Sequence, residues 1–220
     1  MEWLTKFGDQ PLLLIAVLFA LSLLPLLVII GTSFLKIAIV LSLLRNALGI
    51  QQVPPNMAIY GIALILTMFI MAPVTYKIND NLHQAPLTLE SDDLFERLDL
   101  EALAPYRDFL SRHTQPQQIA FFQTSATQLW PEPMRKMIPE NSLCIMLPAF
   151  MVSQLIESFK IGLLLYLPFI AIDLIVSNVL LAMGMMMVSP MTISLPFKIL
   201  VFIMVGGWER LLSQLVLSYK

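Results

Sequence analysis

The chain has 220 residues, of which 58% are hydrophobic and 13% charged, with 15 acids against 13 bases and a net charge of −2. Its mean hydropathy is +0.79; a soluble domain averages about 25% charged and about 45–50% apolar residues, and folding at this size leaves too much surface exposed to hide the excess. These figures argue against a plain soluble enzyme, a disordered chain and a nucleic-acid binder, since no basic surplus exists to neutralise phosphates.

The charges cluster. Residues 1–76 hold five, residues 77–140 hold sixteen (ten acidic, six basic), and residues 141–220 hold seven. The chain therefore reads as an apolar helical hairpin (1–76), a polar helical insert (77–140) and a second apolar helical hairpin (141–220). Leu12 to Leu35 is uncharged for 24 residues, more than the roughly 20 needed to span a bilayer. The N-terminal segment does not read as a cleaved signal: one base stands against two acids, and no A-x-A site follows. Pro25 predicts a kink or break within this stretch. Asn46, Gly49 and Pro54-Pro55 mark a turn, and the next helix is expected just after the prolines. Met57 to Tyr76 is the second uncharged run, at 20 residues.

In the insert, Ser91-Asp92-Asp93 with Glu96 resembles a helix N-terminal capping pattern. Pro105 and Pro116 bound further short helices, and Pro131, Pro133 and Pro139 interrupt the chain. Short amphipathic helices forming a small lobe are expected. In the last block, Glu157 and Lys160 stand at i,i+3 and can pair on one helix face. After Asp173, 24 uncharged residues run to Phe197, with a turn expected near Ser189 to Ser194. Trp208 and Tyr219 suit an interface. Four spans would put Arg45 and Lys198 in short loops on one side, which the positive-inside rule makes cytoplasmic. The insert, at net −4, would then face the periplasm.

Asp173 is costly near the middle of a span, by roughly 2.5–3.5 kcal/mol. It suits either a proton relay or a structural pair with a base such as Lys36; no second intramembrane acid or histidine supports a relay. Five methionines, Met183, Met185, Met186, Met187 and Met191, fall within nine residues. Such a stripe on a helix is ordinarily core. The other reading is an adaptable collar around a moving polypeptide, because methionine conforms to varied partners; Gly184 allows a local bend. Ala38/Ser42 and Ser158/Gly162 have the small-residue spacing of close helix packing. No phosphate-binding loop, H-E-x-x-H or G-x-S-x-G motif is present. His83 and His113 are isolated, and Cys144, the lone cysteine, reads as an inert buried thiol. Neither catalysis, metal nor cofactor is implied.

The residues also carry a resemblance. Thr32-Ser33-Phe34 with Lys36, then Ser42-Leu43-Leu44-Arg45-Asn46-Ala47-Leu48-Gly49, Gln51-Gln52 and Pro54-Pro55-Asn56, resemble the FliP/SctR family of type III secretion export-gate proteins. So do Pro148-Ala149-Phe150, Ser153-Gln154-Leu155, Phe159-Lys160-Ile161-Gly162, Tyr166-Leu167-Pro168-Phe169 and Ile172-Asp173-Leu174. Met183-Gly184-Met185-Met186-Met187, Ser189-Pro190 and Ile193-Ser194-Leu195-Pro196-Phe197-Lys198 complete the match. Ser158 departs from a usual Gly or Ala. Gly206-Gly207-Trp208 and the insert's composition look like the virulence branch.

The resemblance implies an all-α, membrane-associated fold of bent helical hairpins that assembles into a helical ring. It implies a non-enzymatic core subunit of the inner-membrane export gate, present in several copies, five by resemblance. SctS-like and SctT-like partners, SctU-like and SctV-like components, membrane lipid and unfolded secreted proteins accompany it; nucleic acid does not. Met185, Met186 and Met187 would be the pore gasket. Lys36, Arg45, Asn46, Glu157, Lys160, Asp173 and Lys198 would be structural or assembly contacts. Much of the ring would stand on the periplasmic side. The rival readings are an ion- or proton-coupled transporter or channel using Asp173, and a membrane scaffold without a conduit.

Overall fold

The computed structural model describes residues 11–50, 53–84, 103–137 and 142–220. Within them every regular element is helical. The helices are α1 (Pro11–Gly31), α2 (Phe34–Leu48), α3 (Asn56–Gln84), α4 (Ala104–Arg112), α5 (Pro116–Leu129), α6 (Glu132–Met137), α7 (Leu143–Ala182), α8 (Pro190–Met204) and α9 (Gly207–Leu217). The capping pattern at Ser91 to Glu96, Gln51-Gln52 and Pro139 lie outside the described residues.

α1 stays helical across Pro25. The sharp bend comes later: Pro25–Gly31 meets Phe34–Leu48 at 76°. Thr32 accounts for the position. Its hydroxyl donates to the Val28 carbonyl and accepts from the Phe34 amide at 3.3 Å, so side-chain bonds replace part of the interrupted helical ladder. α2 then buries Ile37, Val40, Leu41, Leu44, Ala47 and Leu48, the three-and-four spacing of a core-facing helix. Gly49 ends it in the left-handed conformation, φ 74°, with its amide on the Asn46 carbonyl at 3.1 Å. The expected turn follows. Arg45 braces it, donating from Nη1 to Asn56 Oδ1 at 2.6 Å and to the Pro54 carbonyl at 3.3 Å.

α7 is the axis of the fold. It packs against α1, α2, α4, α5 and α8. One core cluster joins α2 and α3 to Phe169, Phe202, Leu211 and Leu215. At its tightest point, a Cβ on Gly162 would collide with Leu43, and Ser158 one turn earlier is fully buried. The small-residue spacing is thus used for a close approach of α7 to α2. A second cluster attaches the insert: Phe109 and Leu110 of α4 pack with Met71, Met146 and Phe150. Pro105 and Pro116 stand in the first turns of α4 and α5, where a missing amide is harmless.

Among the described residues two helices are long and apolar enough to cross a membrane, α3 and α7. Two bent pairs, the one at 76° and Pro190–Met204 with Gly207–Leu217 at 59°, would each count as one more span if taken together. The second bend turns at Gly206, φ 66°. Cys144, expected to be buried, is exposed at the start of α7, where its side chain faces away from the core residues Ile145 and Met146.

Candidate functional site

Four of the five clustered methionines, Met183, Met185, Met186 and Met187, lie on a turn rather than on a helix face, and Met191 is in the first turn of α8. α7 ends in a paired capping motif: the Gly184 amide bonds the Leu181 carbonyl at 3.0 Å and the Met185 amide bonds the Leu180 carbonyl at 2.9 Å. Gly184 has φ 73°, the left-handed conformation this motif requires. α8 starts at Pro190, whose fixed φ and absent amide suit a first helical position. The turn therefore spans 183–189 and precedes the expected position near Ser189 to Ser194. Pro196 sits inside α8 without ending it.

None of these methionines belongs to the core of the chain. Met187 is 100% exposed, Met186 81%, Met183 66% and Met185 44%. Exposing several large apolar side chains together is unfavourable unless something else covers them. In chemical terms the turn is a short, flexible apolar ridge with no ionisable group.

Two ion pairs fix the helices behind it. Lys198 of α8, almost fully buried, donates to Asp173 Oδ2 at 2.6 Å and to the Ala47 carbonyl at 3.3 Å, near the C-terminus of α2. Ser194 donates to the other oxygen of Asp173 at 2.6 Å. A cation beside the last carbonyls of a helix is favourable in itself, so Lys198 joins α2, α7 and α8. Lys36 of α2, 2% exposed, pairs with Glu157 Oε2 of α7 at 2.7 Å. Its ammonium also lies 4.8 Å from the centre of the Tyr219 ring.

These pairings correct two sequence expectations. Asp173 pairs with Lys198 rather than Lys36, and Glu157 pairs across 121 residues with Lys36 rather than with Lys160 on its own helix. Lys160 is exposed and makes no ion pair among the described residues. Lys198 is in a helix and neutralised by Asp173, so it does not act as a loop charge. Asn46 is exposed, and its carbonyl accepts from the Gly49 amide.

Sequence reasoning missed the network around the Lys36 pair. Tyr219 donates to Gln154 Oε1 at 2.6 Å, Gln154 Nε2 donates to the His113 carbonyl at 2.8 Å, and Ser153 Oγ accepts from the Gln115 amide at 3.0 Å. The His113 ring contacts Phe109 and Tyr219 at centroid distances of 4.8 and 5.1 Å. Burial, and then the nearby Lys36, lower the His113 pKa below its usual 6.5. Tyr106 of the insert reaches the bend after α1, donating to the Gly31 carbonyl at 2.8 Å, and burial pushes its phenol up to about 12. The only local signal was composition: Ser153-Gln154 is a polar pair inside an apolar run.

Known proteins match this chain over most of its length. The FliP family profile matches residues 17–215. The virulence protein YscR of Salmonella typhimurium is 54% identical over 96% of this chain and 98% of its own. Yop proteins translocation protein R of Yersinia pestis is 55% identical over 94% and 95%. Harpin secretion protein HrpW of Pseudomonas syringae pv. syringae is 50% identical over 91% and 96%.

Proposed function

The chain belongs to the FliP family, and from that premise we propose that it is a core subunit of a virulence-type type III export gate. In this reading several copies, five by resemblance, form a helical ring in the bacterial inner membrane with SctS-like and SctT-like partners. SctU-like and SctV-like components adjoin it, and unfolded secreted proteins pass through. The insert faces the periplasm, and much of the ring stands on that side. The subunit performs no chemistry of its own; energy comes from elsewhere in the machine.

The observation that carries this reading is the exposed turn of Met185, Met186 and Met187 at the end of α7. Repeated around a ring, such turns would form an apolar collar. Methionine suits that task because its unbranched side chain adapts to varied shapes, and a collar must close on itself at rest and yield to unrelated polypeptides. The ion pairs Lys198–Asp173 and Lys36–Glu157 hold the helices that carry the turn. Lys160 and Asn46, exposed on a single copy, suit contacts between subunits.

The rival in which Asp173 couples ion transport has less support. Both carboxylate oxygens are occupied, by Lys198 and Ser194, as a structural strut requires.

Replacing Met185, Met186 and Met187 together with alanine tests the reading. The complex should assemble with its partners and yet leak small ions or dyes when reconstituted in vesicles. A triple variant that assembles and stays tight would sink the collar.

A further inference from the structure

Outside the insert, the described residues hold three acidic side chains, Glu157, Asp173 and Glu209. Glu157 is paired with Lys36 and Asp173 with Lys198. Glu209, in the first turn of α9, is exposed and makes no ion pair among the described residues. Lys160 of α7 is exposed and equally without a partner there. Arg210 does not satisfy Glu209 on its own copy. Adjacent side chains on a helix do not face each other, and Arg210 lines the groove between α7 and α9.

Each unpaired charge borders an apolar face. Lys160 opens a stripe of α7 that continues through the exposed Leu163, Leu167 and Leu174, the spacing of one helix side. Glu209 follows the exposed Ile203, Met204, Val205 and Trp208 around the bend between α8 and α9. When such a face is covered, the charge beside it must be paired, because a desolvated lone ion is costly. The two faces, one carrying a base and one an acid, are complementary in apolar surface and in charge. They lie on different elements, so copies that meet through them join head to tail, the arrangement that closes into a ring.

The levels of the two charges agree. One groove is lined by Ile161 and Leu164 of α7 and by Arg210 and Gln214 of α9, so α9 runs alongside the part of α7 that follows Lys160. Rotation about a ring axis directed along α7 leaves every group at its own level, which brings the next copy's Glu209 near the height of Lys160. We propose that Lys160 of one copy pairs with Glu209 of the next, seating the α7 stripe against its neighbour's α8–α9 bend. The contact rests on the ring of the proposed function and names the surfaces that meet in it. It does not depend on the methionine collar, so a tight methionine variant would leave it standing.

Native mass spectrometry of the detergent-extracted complex, made together with its two small partners, counts the copies of this chain. Lys160→Glu and Glu209→Lys should each lower the multi-copy fraction at least about tenfold, because like charges would then face across the contact. The double variant, Lys160→Glu with Glu209→Lys, should restore assembly, since the pair is only inverted. Circular dichroism should show each single variant folded, both positions being exposed on one copy. If either fails to fold, Lys160→Gln and Glu209→Gln form a double-mutant cycle in which the second change should add little to the first. Sensitivity to one reversal alone, or no recovery in the double variant, overturns the pair and leaves the ring. Assembly indifferent to both reversals does the same. A wild-type chain that stays a single copy overturns the ring and this contact with it.

Discussion

Helix α7 meets two opposite environments along its length. Around Ser153, Gln154 and Glu157 it is enclosed by partners from α2, the insert and the residue Tyr219. Beyond Ala182 the same chain carries four methionines that touch little of its own fold. The enclosed stretch satisfies its polar groups internally, as a region must if it is to stay rigid at low dielectric. The bare stretch has no polar group to satisfy and leaves its apolar surface for something outside the subunit. Rigidity and availability are thus separated along one helix.

Breaking the enclosed end should have the largest effect. Lys36→Ala leaves Glu157 without its partner and should cost about 3 kcal/mol, the low end for a broken buried pair because the Glu157 side chain is 35% exposed. Thermal melting of the detergent-extracted chain measures it, and adding Glu157→Gln should recover part of the loss. At the bare end, Gly184→Ala should cost about 1 kcal/mol, the strain of a Cβ in the left-handed conformation. On the proposed reading it should also raise dye leak from vesicles holding the complex more than it lowers the melting. The triple methionine variant sharpens the contrast further: its melting should stay within roughly 0.5 kcal/mol per site, since exposed residues contribute little to stability.

The smallest effect is that of pH, through His113. Its folded pKa is depressed, so below the usual 6.5 the unfolded chain takes up a proton first. The stabilisation from keeping the ring neutral is full above 6.5 and is lost as pH falls beneath it. His113→Gln should flatten the melting profile over that range, and an unchanged profile would show that the ring is not coupled to folding.

The helical class was legible in the long uncharged runs and in the family resemblance. The methionine run was legible too, but its position on a turn was not. The prolines suggested a later break, whereas Gly184 ends α7 and Pro190 opens α8. At α1 the same bias favoured Pro25 over Thr32, although an exposed helix can absorb a missing amide and a threonine hydroxyl can stabilise a real bend. Ion-pair partners were the least legible feature. Lys160 is the local neighbour of Glu157, but Lys36 arrives only when α2 crosses α7, and spacing along one helix says nothing of that crossing. Tyr219 and His113, more than a hundred residues apart, meet for the same reason.

One dimension of α7 sets a limit on where this subunit can live. Forty residues of helix extend about 60 Å at 1.5 Å per residue, against a hydrocarbon layer of about 30 Å. A tilt of about 20° shortens the projection only slightly. In a bilayer, roughly half of the helix would therefore stand clear of the acyl chains, although most of its sequence is apolar. Water would penalise its exposed apolar side chains, so what α2, α4 and α5 leave uncovered is what the proposed ring would shelter. α7 works as a ruler longer than the object it measures, and in the proposed ring the surplus length would set how far the assembly rises from the bilayer.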